Sequence, residues 1–255
     1  MYSRLKGTEI YHEITGDGPP LLMLHGWGAN LRLFDQLKDA LAPYYTVHAI
    51  DFPGFGKSPE PPAPWSVYDY ADLVTAYIKE NKLSRVSLMG HSFGGRLSLI
   101  LGDQMDIDQI LLLGAAGIVP RRPLSYYIKV YGYKTMKVIE KVPGMRLLFG
   151  DLFDAYRHHA GSADYKAASP LMRRSLSLVV NQDLQHHMPN IQAETLIVYG
   201  VNDHDTPVSY GHIMEEKIPK GTLIVLENAG HYTWLDQPAQ VAGIAKAFFK
   251  EVKDV

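Results

Sequence analysis

The sequence contains no cysteine among its 255 residues. This absence excludes disulfide bonds, thiolate metal sites and a cysteine nucleophile. Long apolar runs are absent too, because no stretch reaches the 18 residues that indicate a transmembrane helix. Residues 1–7 also lack the apolar segment of a signal peptide. We therefore expect a cytoplasmic protein that does not span a membrane.

An excess of charge of one sign is equally absent. The chain has 25 Lys and Arg against 27 Asp and Glu, which gives a formal net charge of −2. Because nucleic-acid-binding domains carry a clear basic patch, we expect no nucleic-acid partner. With 46% hydrophobic and 20% charged residues, the composition is that of an ordinary globular protein. The sequence leaves a monomer and a dimer equally open.

Short apolar runs recur along the chain and predict buried strands at 21–24, 45–50, 85–89, 109–113, 195–199 and 222–226, with an N-terminal hairpin at 2–5 and 8–15. Helical patterns lie between them at 31–41, 67–81, 94–104, 210–217 and 238–252. This alternation predicts an α/β protein with a mostly parallel twisted sheet and helices on both faces. Right-handed crossovers would bring the C-terminal ends of the parallel strands to one edge.

One interval lacks the strand pattern and is too long for a loop. It carries helical stretches near 124–142, 145–159 and 170–187. We predict that residues 119–190 form a helical cap inserted into a core domain of residues 1–118 and 191–255. A separate domain with its own role is the alternative. Arg121 and Arg122 begin the segment, and an anion-binding role and a solvated hinge both stay open for them.

Chemistry-bearing residues follow several predicted strands at the edge where ligands bind in open parallel sheets. Gly90-His91-Ser92-Phe93-Gly94 follows the strand at 85–89 and matches G-x-S-x-G, the pattern of an exposed nucleophile on a strand-to-helix turn. Taken alone, Ser92 could also be an ordinary helix N-cap. Asp203 and His231 follow later strands, so Ser, Asp and His occur in that order at three strand ends.

Five segments together resemble the α/β-hydrolase superfamily, in particular its branch of capped serine carboxylesterases and C–C hydrolases. They are the His25-Gly26-Trp27-Gly28 loop, the D-x-P-G-x-G-x-S stretch at 51–58, the elbow at 90–94, G-x-x-D-x-x-x-P at 200–207 and the late Gly230-His231. Each segment is weak evidence alone, whereas their order along nearly the whole chain is specific. The resemblance implies the fold and the site described next.

In this resemblance Ser92 is the nucleophile and His231 is the general base that takes its proton. Asp203 orients His231, with Asp205 as the nearby rival for that role. Gly90 and Gly94 are explained by close approach of strand and helix at the turn. We expect His25 and His91 to support loop structure.

The oxyanion hole is predicted from backbone N–H groups. The residue after the nucleophile supplies one of them, here Phe93, and the resemblance implies that Trp27 supplies the other. Apolar and aromatic side chains are candidates to line the acyl pocket: Trp27, Leu124, Tyr127, Tyr131, Leu148 and Trp234. Simple packing of the cap onto the sheet is the alternative for each of them.

No cofactor and no metal are predicted. Residues 54–58 end like a phosphate-binding P-loop, but Asp51 stands where that motif requires its first glycine. The pairs His158-His159 and His186-His187 fall in the predicted cap, and adjacent residues of a helix do not share a face. We therefore do not expect either pair to bind a metal.

Serine at the elbow argues against the dehalogenases and epoxide hydrolases of this fold, which resemble each other in carrying aspartate there. Hydrolysis of esters, thioesters, lactones or activated amides remains, as does C–C bond hydrolysis of diketones. We predict a serine hydrolase that cleaves carboxylic esters of small, largely apolar acyl substrates through an acyl-enzyme. A C–C hydrolase or lyase with the same triad is one alternative, and a non-catalytic small-molecule receptor is another.

Overall fold

A computed structural model describes residues 1–119, 124–140, 142, 165 and 167–250. Its eight strands are β1 Tyr2–Leu5, β2 Thr8–Thr15, β3 Pro20–Leu24, β4 Thr46–Ile50, β5 Val86–His91, β6 Ile107–Leu113, β7 Glu194–Gly200 and β8 Gly221–Leu226. They form one sheet in the order β1-β2-β4-β3-β5-β6-β7-β8. The pairs β1–β2 and β2–β4 are antiparallel, and the other five pairs are parallel. The predicted fold class is confirmed.

The described helices are α1 Asp35–Leu41, α2 Val67–Glu80, α3 Phe93–Gln104, α4 Leu124–Ile139, α5 Pro170–Val180, α6 Val208–Lys217, α7 Thr233–Asp236 and α8 Pro238–Lys250. The predicted helix at 31–41 begins as a 3₁₀ turn, Leu31–Phe34, which Asn30 caps because its side chain accepts the Arg32 N–H at 3.0 Å. The predicted helix at 145–159 lies outside the described residues. No helix in the described ranges is both long and apolar enough to cross a membrane.

Alternate residues of the strands feed two hydrophobic cores, one on each face of the sheet. In β3, Leu22 and Leu24 join the core that contains α2, α3 and α6 side chains. Leu21 and Met23 point to the other core, which contains side chains of α1 and α8. Because both faces of the sheet are covered, a ligand can reach only the loops at the strand ends.

The chain divides into two compact units, Met1–Ile118 with Ser169–Val255, and Val119–Ala168. Helix α4 belongs to the second unit. Helix α5 belongs to the first, although the sequence analysis assigned residues 119–190 to the cap. The Ser175 hydroxyl on α5 accepts the Trp65 N–H at 2.9 Å, and the Leu184 N–H donates to the Gly117 carbonyl at 2.8 Å. These bonds tie the segment after residue 169 to the sheet-bearing unit.

Candidate active site

Ser92 lies on the turn between β5 and α3 with φ 49° and ψ −105°. A positive φ is unfavourable for a residue with a side chain, and such strain is tolerated chiefly at functional positions. Ser92 takes the N-cap position of α3, but its side chain makes no capping hydrogen bond, so an ordinary capping role does not account for this serine. The turn leaves the hydroxyl unused by secondary structure, as a nucleophile requires.

Two glycines make this turn possible because strand, helix and neighbouring loop approach closely. A Cβ atom at Gly90 would lie 2.4 Å from Ser98 Oγ and 2.7 Å from the Gly94 carbonyl oxygen. A Cβ at Gly94 would lie 1.8 Å from the carbonyl oxygen of Leu24, which ends β3. A side chain at position 94 would therefore displace backbone, and the close contacts at both positions leave room only for glycine.

His231 and Asp203 form a hydrogen-bonded pair beyond the C-terminal ends of β8 and β7. His231 Nδ1 lies 2.9 Å from Asp203 Oδ2, and the Asp203 side chain is fully buried while that of His231 is 12% exposed. This bond places the proton on Nδ1, so that Nε2 presents its lone pair as a base. The two residues that the sequence predicts as general base and orienting carboxylate thus lie in hydrogen-bond contact.

The rival carboxylate, Asp205, contributes through its backbone. Its N–H donates to Asp203 Oδ1 at 2.9 Å, and the Thr206 N–H donates to the same oxygen at 2.8 Å. Asp205 itself is exposed. Asp203 therefore holds the buried, hydrogen-bonded position beside His231, and Asp205 helps to build the turn around it.

Thr206 is a site residue that the sequence analysis missed. Its hydroxyl lies 2.8 Å from Asp203 Oδ2, 3.2 Å from His231 Nδ1 and 3.0 Å from the Gly114 carbonyl oxygen. It thus braces the carboxylate against the end of β6. The available signal was its place three residues after Asp203, where an aspartate turn receives backbone N–H donors.

The charge of Asp203 is stabilised by its donors. Burial alone would raise the pKa of this carboxyl group, but hydrogen bonds from His231 and Thr206 and the nearby imidazole outweigh burial and lower the pKa below its ordinary value. The carboxylate therefore stays ionised at neutral pH and can stabilise an imidazolium. Oxygens of Asp203 and Asp205 and a His231 nitrogen also lie within 4.8 Å of one another. A metal there would have to disrupt the bond between Asp203 and His231.

Ser92 reaches the same edge through β6. Its N–H donates to the Leu113 carbonyl at 3.2 Å. The next residue, Gly114, lies directly against the pair, because a Cβ there would be 3.1 Å from Asp203 Oδ2 and 3.3 Å from His231 Nδ1. The end of β6 is therefore the short bridge between the Ser92 turn and the His231–Asp203 pair.

His91 links the turn to the loop that carries His231. Its Nε2 lies 3.2 Å from the His231 carbonyl oxygen, and its ring centroid lies 4.7 Å from that of His231. Burial lowers the pKa of His91 well below its ordinary value, so the ring is neutral and Nε2 donates. His91 therefore supports loop structure, as expected, and the loop that it supports is the one that carries His231.

The predicted oxyanion loop packs against Ser92. A Cβ at Gly26 would lie 3.5 Å from Ser92 Cβ and 2.7 Å from His91 Nδ1. The next residue, Trp27, is half-buried, and its ring meets the ring of Phe93 edge-on at 5.4 Å. Among the described residues, the N–H groups of Trp27 and Phe93 have no hydrogen-bond acceptor. Both predicted donors are thus available beside the serine.

His25 fixes the backbone of this loop. Its Nδ1 donates to the Gly26 carbonyl at 2.7 Å, and its Nε2 accepts the Phe52 N–H at 3.0 Å. This pattern requires a neutral ring, because a protonated Nε2 could not accept. Complete burial lowers the pKa of His25 from 6.5 to about 4. His25 therefore supports loop structure, as expected.

The buried neutral His25 predicts acid sensitivity of the fold. Between pH 6.5 and about 4, the His25 imidazole takes up a proton in the unfolded chain but not in the folded one. The contribution of His25 to the free energy of unfolding is therefore largest above pH 6.5 and falls as the pH drops through this window. From pH 7 to pH 5 we expect His25 to remove about 2 kcal/mol from the free energy of unfolding. Urea unfolding of His25→Gln at both pH values should show a loss smaller by about this amount. His212→Gln, at an exposed position, should keep the wild-type difference, and an unchanged difference in His25→Gln would contradict the assignment.

The predicted pocket residues differ in burial, and the structure describes only some of them. Trp234 is fully buried, its indole N–H donates to the Leu33 carbonyl at 3.0 Å, and its ring lies 5.3 Å from that of Phe34. These are the contacts of a core residue, so Trp234 packs the core and does not line a pocket. Leu124 and Tyr131 are 75% and 62% exposed on α4. The side chain of Tyr127, and Leu148, Arg121 and Arg122 altogether, lie outside what the structure describes.

Comparison with known proteins agrees with the fold. A family model described as "Alpha/beta hydrolase family" matches residues 21–244. The chain is 27% identical over 254 residues to the pimeloyl-[acyl-carrier protein] methyl ester esterase of Aeromonas hydrophila, covering 91% of this chain and 96% of that protein. The esterase EaEST from Exiguobacterium antarcticum superposes with a TM-score of 0.78 at 26% identity, covering 98% of this chain and 99% of that one. The meta-cleavage product hydrolase CumD from Pseudomonas fluorescens shares the fold, with a TM-score of 0.74 at 20% identity over 99% and 98% of the two chains.

Proposed function

We propose that this chain, which belongs to the alpha/beta hydrolase family, is a serine hydrolase that cleaves carboxylic esters of small, largely apolar acyl groups. The observation that carries the proposal is the strained turn at Ser92, whose neighbour His91 contacts the loop of the hydrogen-bonded His231–Asp203 pair. Neither half would suffice alone. A strained serine without a base is unreactive, and a His–Asp pair without a nucleophile has no acyl acceptor.

In the proposed mechanism, Ser92 Oγ attacks the ester carbonyl carbon while His231 Nε2 removes the hydroxyl proton. The resulting oxyanion is held by the N–H groups of Trp27 and Phe93. His231 then returns the proton to the leaving alcohol as the C–O bond breaks, which leaves an acyl-enzyme on Ser92. Water, deprotonated by His231, attacks the acyl group, and Ser92 recovers its proton.

Asp203 makes both proton transfers possible without accepting a proton itself. Its bond to Nδ1 keeps the lone pair of His231 on Nε2, and its negative charge stabilises the imidazolium that forms in each step. Because Thr206 and Asp205 occupy Oδ1, the carboxylate is held with Oδ2 toward the ring. The bond from His91 to the His231 carbonyl holds the backbone of the same loop.

The apolar acyl preference rests on the surroundings of the oxyanion loop. The Trp27 ring contacts the rings of Phe55 and Phe93 edge-on, with centroids 4.9 Å and 5.4 Å apart. An acyl chain next to this aromatic cluster would bury apolar surface, which favours binding by roughly 0.8 kcal/mol for each CH₂ group. The relatives named as esterases support an ester as the substrate.

A chain-length panel of p-nitrophenyl esters, with acetate and butyrate as the short members, tests the proposal. We expect ester turnover by the wild type and its covalent labelling by a fluorophosphonate probe, and the loss of both in Ser92→Ala. Ser209→Ala changes an exposed serine of α6 and should match the wild type in both measurements.

Other outcomes would support other functions. Labelling of Ser92 with negligible ester turnover, together with cleavage of a dienoate diketone, would replace the esterase by a C–C hydrolase with the same triad. Saturable ligand binding without product and without labelling would favour a receptor. Ester turnover that survives in Ser92→Ala would reject the serine mechanism itself.

A further inference from the structure

A second group of polar side chains lies outside the proposed active site. Tyr68 stands in the first turn of α2, and Asp103 lies near the end of α3. His186 and His187 precede the 3₁₀ turn Met188–Asn190, in the segment that leads into β7. All four belong to the first unit, and none has a place in the proposed mechanism.

The two histidines face one phenol oxygen. Tyr68 Oη lies 3.3 Å from His187 Nε2 and 3.5 Å from His186 Nε2, and the imidazole centroids are 4.1 Å apart. The helical pattern of the sequence predicts a helix over this pair, where adjacent side chains would diverge. That expectation is wrong, because both residues lie in a turn after α5 ends at Val180. The turn allows both rings to approach the same oxygen.

The other nitrogen of His187 is held by a carboxylate. Its Nδ1 lies 2.6 Å from Asp103 Oδ2, and the His187 side chain is 6% exposed. This bond places the proton on Nδ1 and leaves the Nε2 lone pair directed toward Tyr68. A histidine that donates to a carboxylate through one nitrogen and presents the other is the usual arrangement of a metal-binding imidazole.

We propose that His186, His187 and Tyr68 bind a divalent transition-metal ion of the zinc type. Imidazole nitrogens suit such ions. Ligands of a tetrahedral zinc ion lie about 2.0–2.1 Å from the metal, which places them about 3.3 Å from one another. The observed separations of 3.3 Å and 3.5 Å match that spacing. Binding forms an oxygen–zinc bond at Tyr68 and releases the phenol proton to solvent, and water completes the coordination.

The expected consequence is mechanical. The ion would join α2 to the segment that leads into β7, and Asp103 would extend the connection to α3. A ligand that binds only the folded state stabilises it. His186 is exposed, so zinc can enter from solvent without opening the core.

Zinc calorimetry with the full chain tests the proposal. We expect one zinc ion per chain at this site, with at least about tenfold weaker binding in His186→Ala and in Asp103→Asn. Tyr68→Phe removes the oxygen ligand and should weaken binding while retaining the ring contacts. His212→Ala, which changes an exposed histidine of α6, should bind as wild type. Zinc should also raise the unfolding temperature of the wild type and not that of His186→Ala.

The group formed by Asp203, Asp205 and His231 is the competing site for zinc. Asp205→Asn in the same titration separates the two sites, since we expect it to bind like wild type. Binding that survives in His186→Ala but is lost in Asp205→Asn would overturn the proposal, and so would a wild type that binds no zinc. Because His186→Ala alters an exposed side chain, unfolding of the variant should not obscure the result.

Discussion

Replacing Ser92 by alanine is expected to lower kcat for an ester substrate by at least about 10³-fold, and by up to about 10⁶-fold. The acyl group loses its covalent acceptor, and the residual rate comes from binding and from the oxyanion donors. Both donors are backbone groups, of Trp27 and Phe93, and therefore survive the substitution. KM should change little. Steady-state kinetics with p-nitrophenyl butyrate measure the effect.

The strain at Ser92 supplies a matched second variant. Glycine adopts the observed φ of 49° without strain, whereas serine and alanine adopt it only at a cost in free energy. We therefore expect Ser92→Gly to lose activity as Ser92→Ala does, but to raise the free energy of unfolding by about 1 kcal/mol. Ser92 would then lower the stability of the fold while providing the nucleophile for the reaction. Both variants retaining more than about a tenth of wild-type kcat would contradict the assignment.

The sequence predicted the sheet well because most of its strands are short apolar runs bounded by turn residues. The run at 195–199 became β7, Glu194–Gly200, and the hairpin at 2–5 and 8–15 has the predicted bounds. Such patterns are local, since burial on both faces requires continuous apolar residues. The positions of Ser92, Asp203 and His231 followed, because the ends of parallel strands meet at one edge.

What the sequence could not predict depends on contacts between distant segments. The bond from His91 to the His231 carbonyl joins residues 140 positions apart in the chain. Thr206 acquires its role only when the end of β6 lies beside it. Trp234 was a candidate for the pocket because aromatic residues suit both pockets and cores, and only packing against Phe34 and Leu33 separates the two. The convergence of His186 and His187 depends on a turn that the helical pattern concealed.

Asp203→Asn is expected to lower kcat by about 10⁴-fold with little effect on substrate binding. The reason lies in the turn around this carboxylate. The N–H groups of Asp205 and Thr206 donate to Oδ1, at 2.9 Å and 2.8 Å. They would hold the asparagine oxygen at that position and direct its NH₂ group toward His231. An NH₂ donor facing Nδ1 forces the ring proton onto Nε2, where it blocks acceptance of the Ser92 proton.

The matched control for this variant is Asp205→Asn, two residues away in the same turn. Asp205 supplies a backbone N–H to the site, and the substitution retains that group. Its side chain is exposed, so kcat should stay within about fivefold of wild type, since a charge screened by solvent changes the barrier by less than about 1 kcal/mol. Steady-state kinetics of both variants on one ester decide between the two carboxylates. A large loss in Asp205→Asn together with near-normal activity in Asp203→Asn would transfer the orienting role to Asp205, and the buried bond between Asp203 and His231 would then be structural.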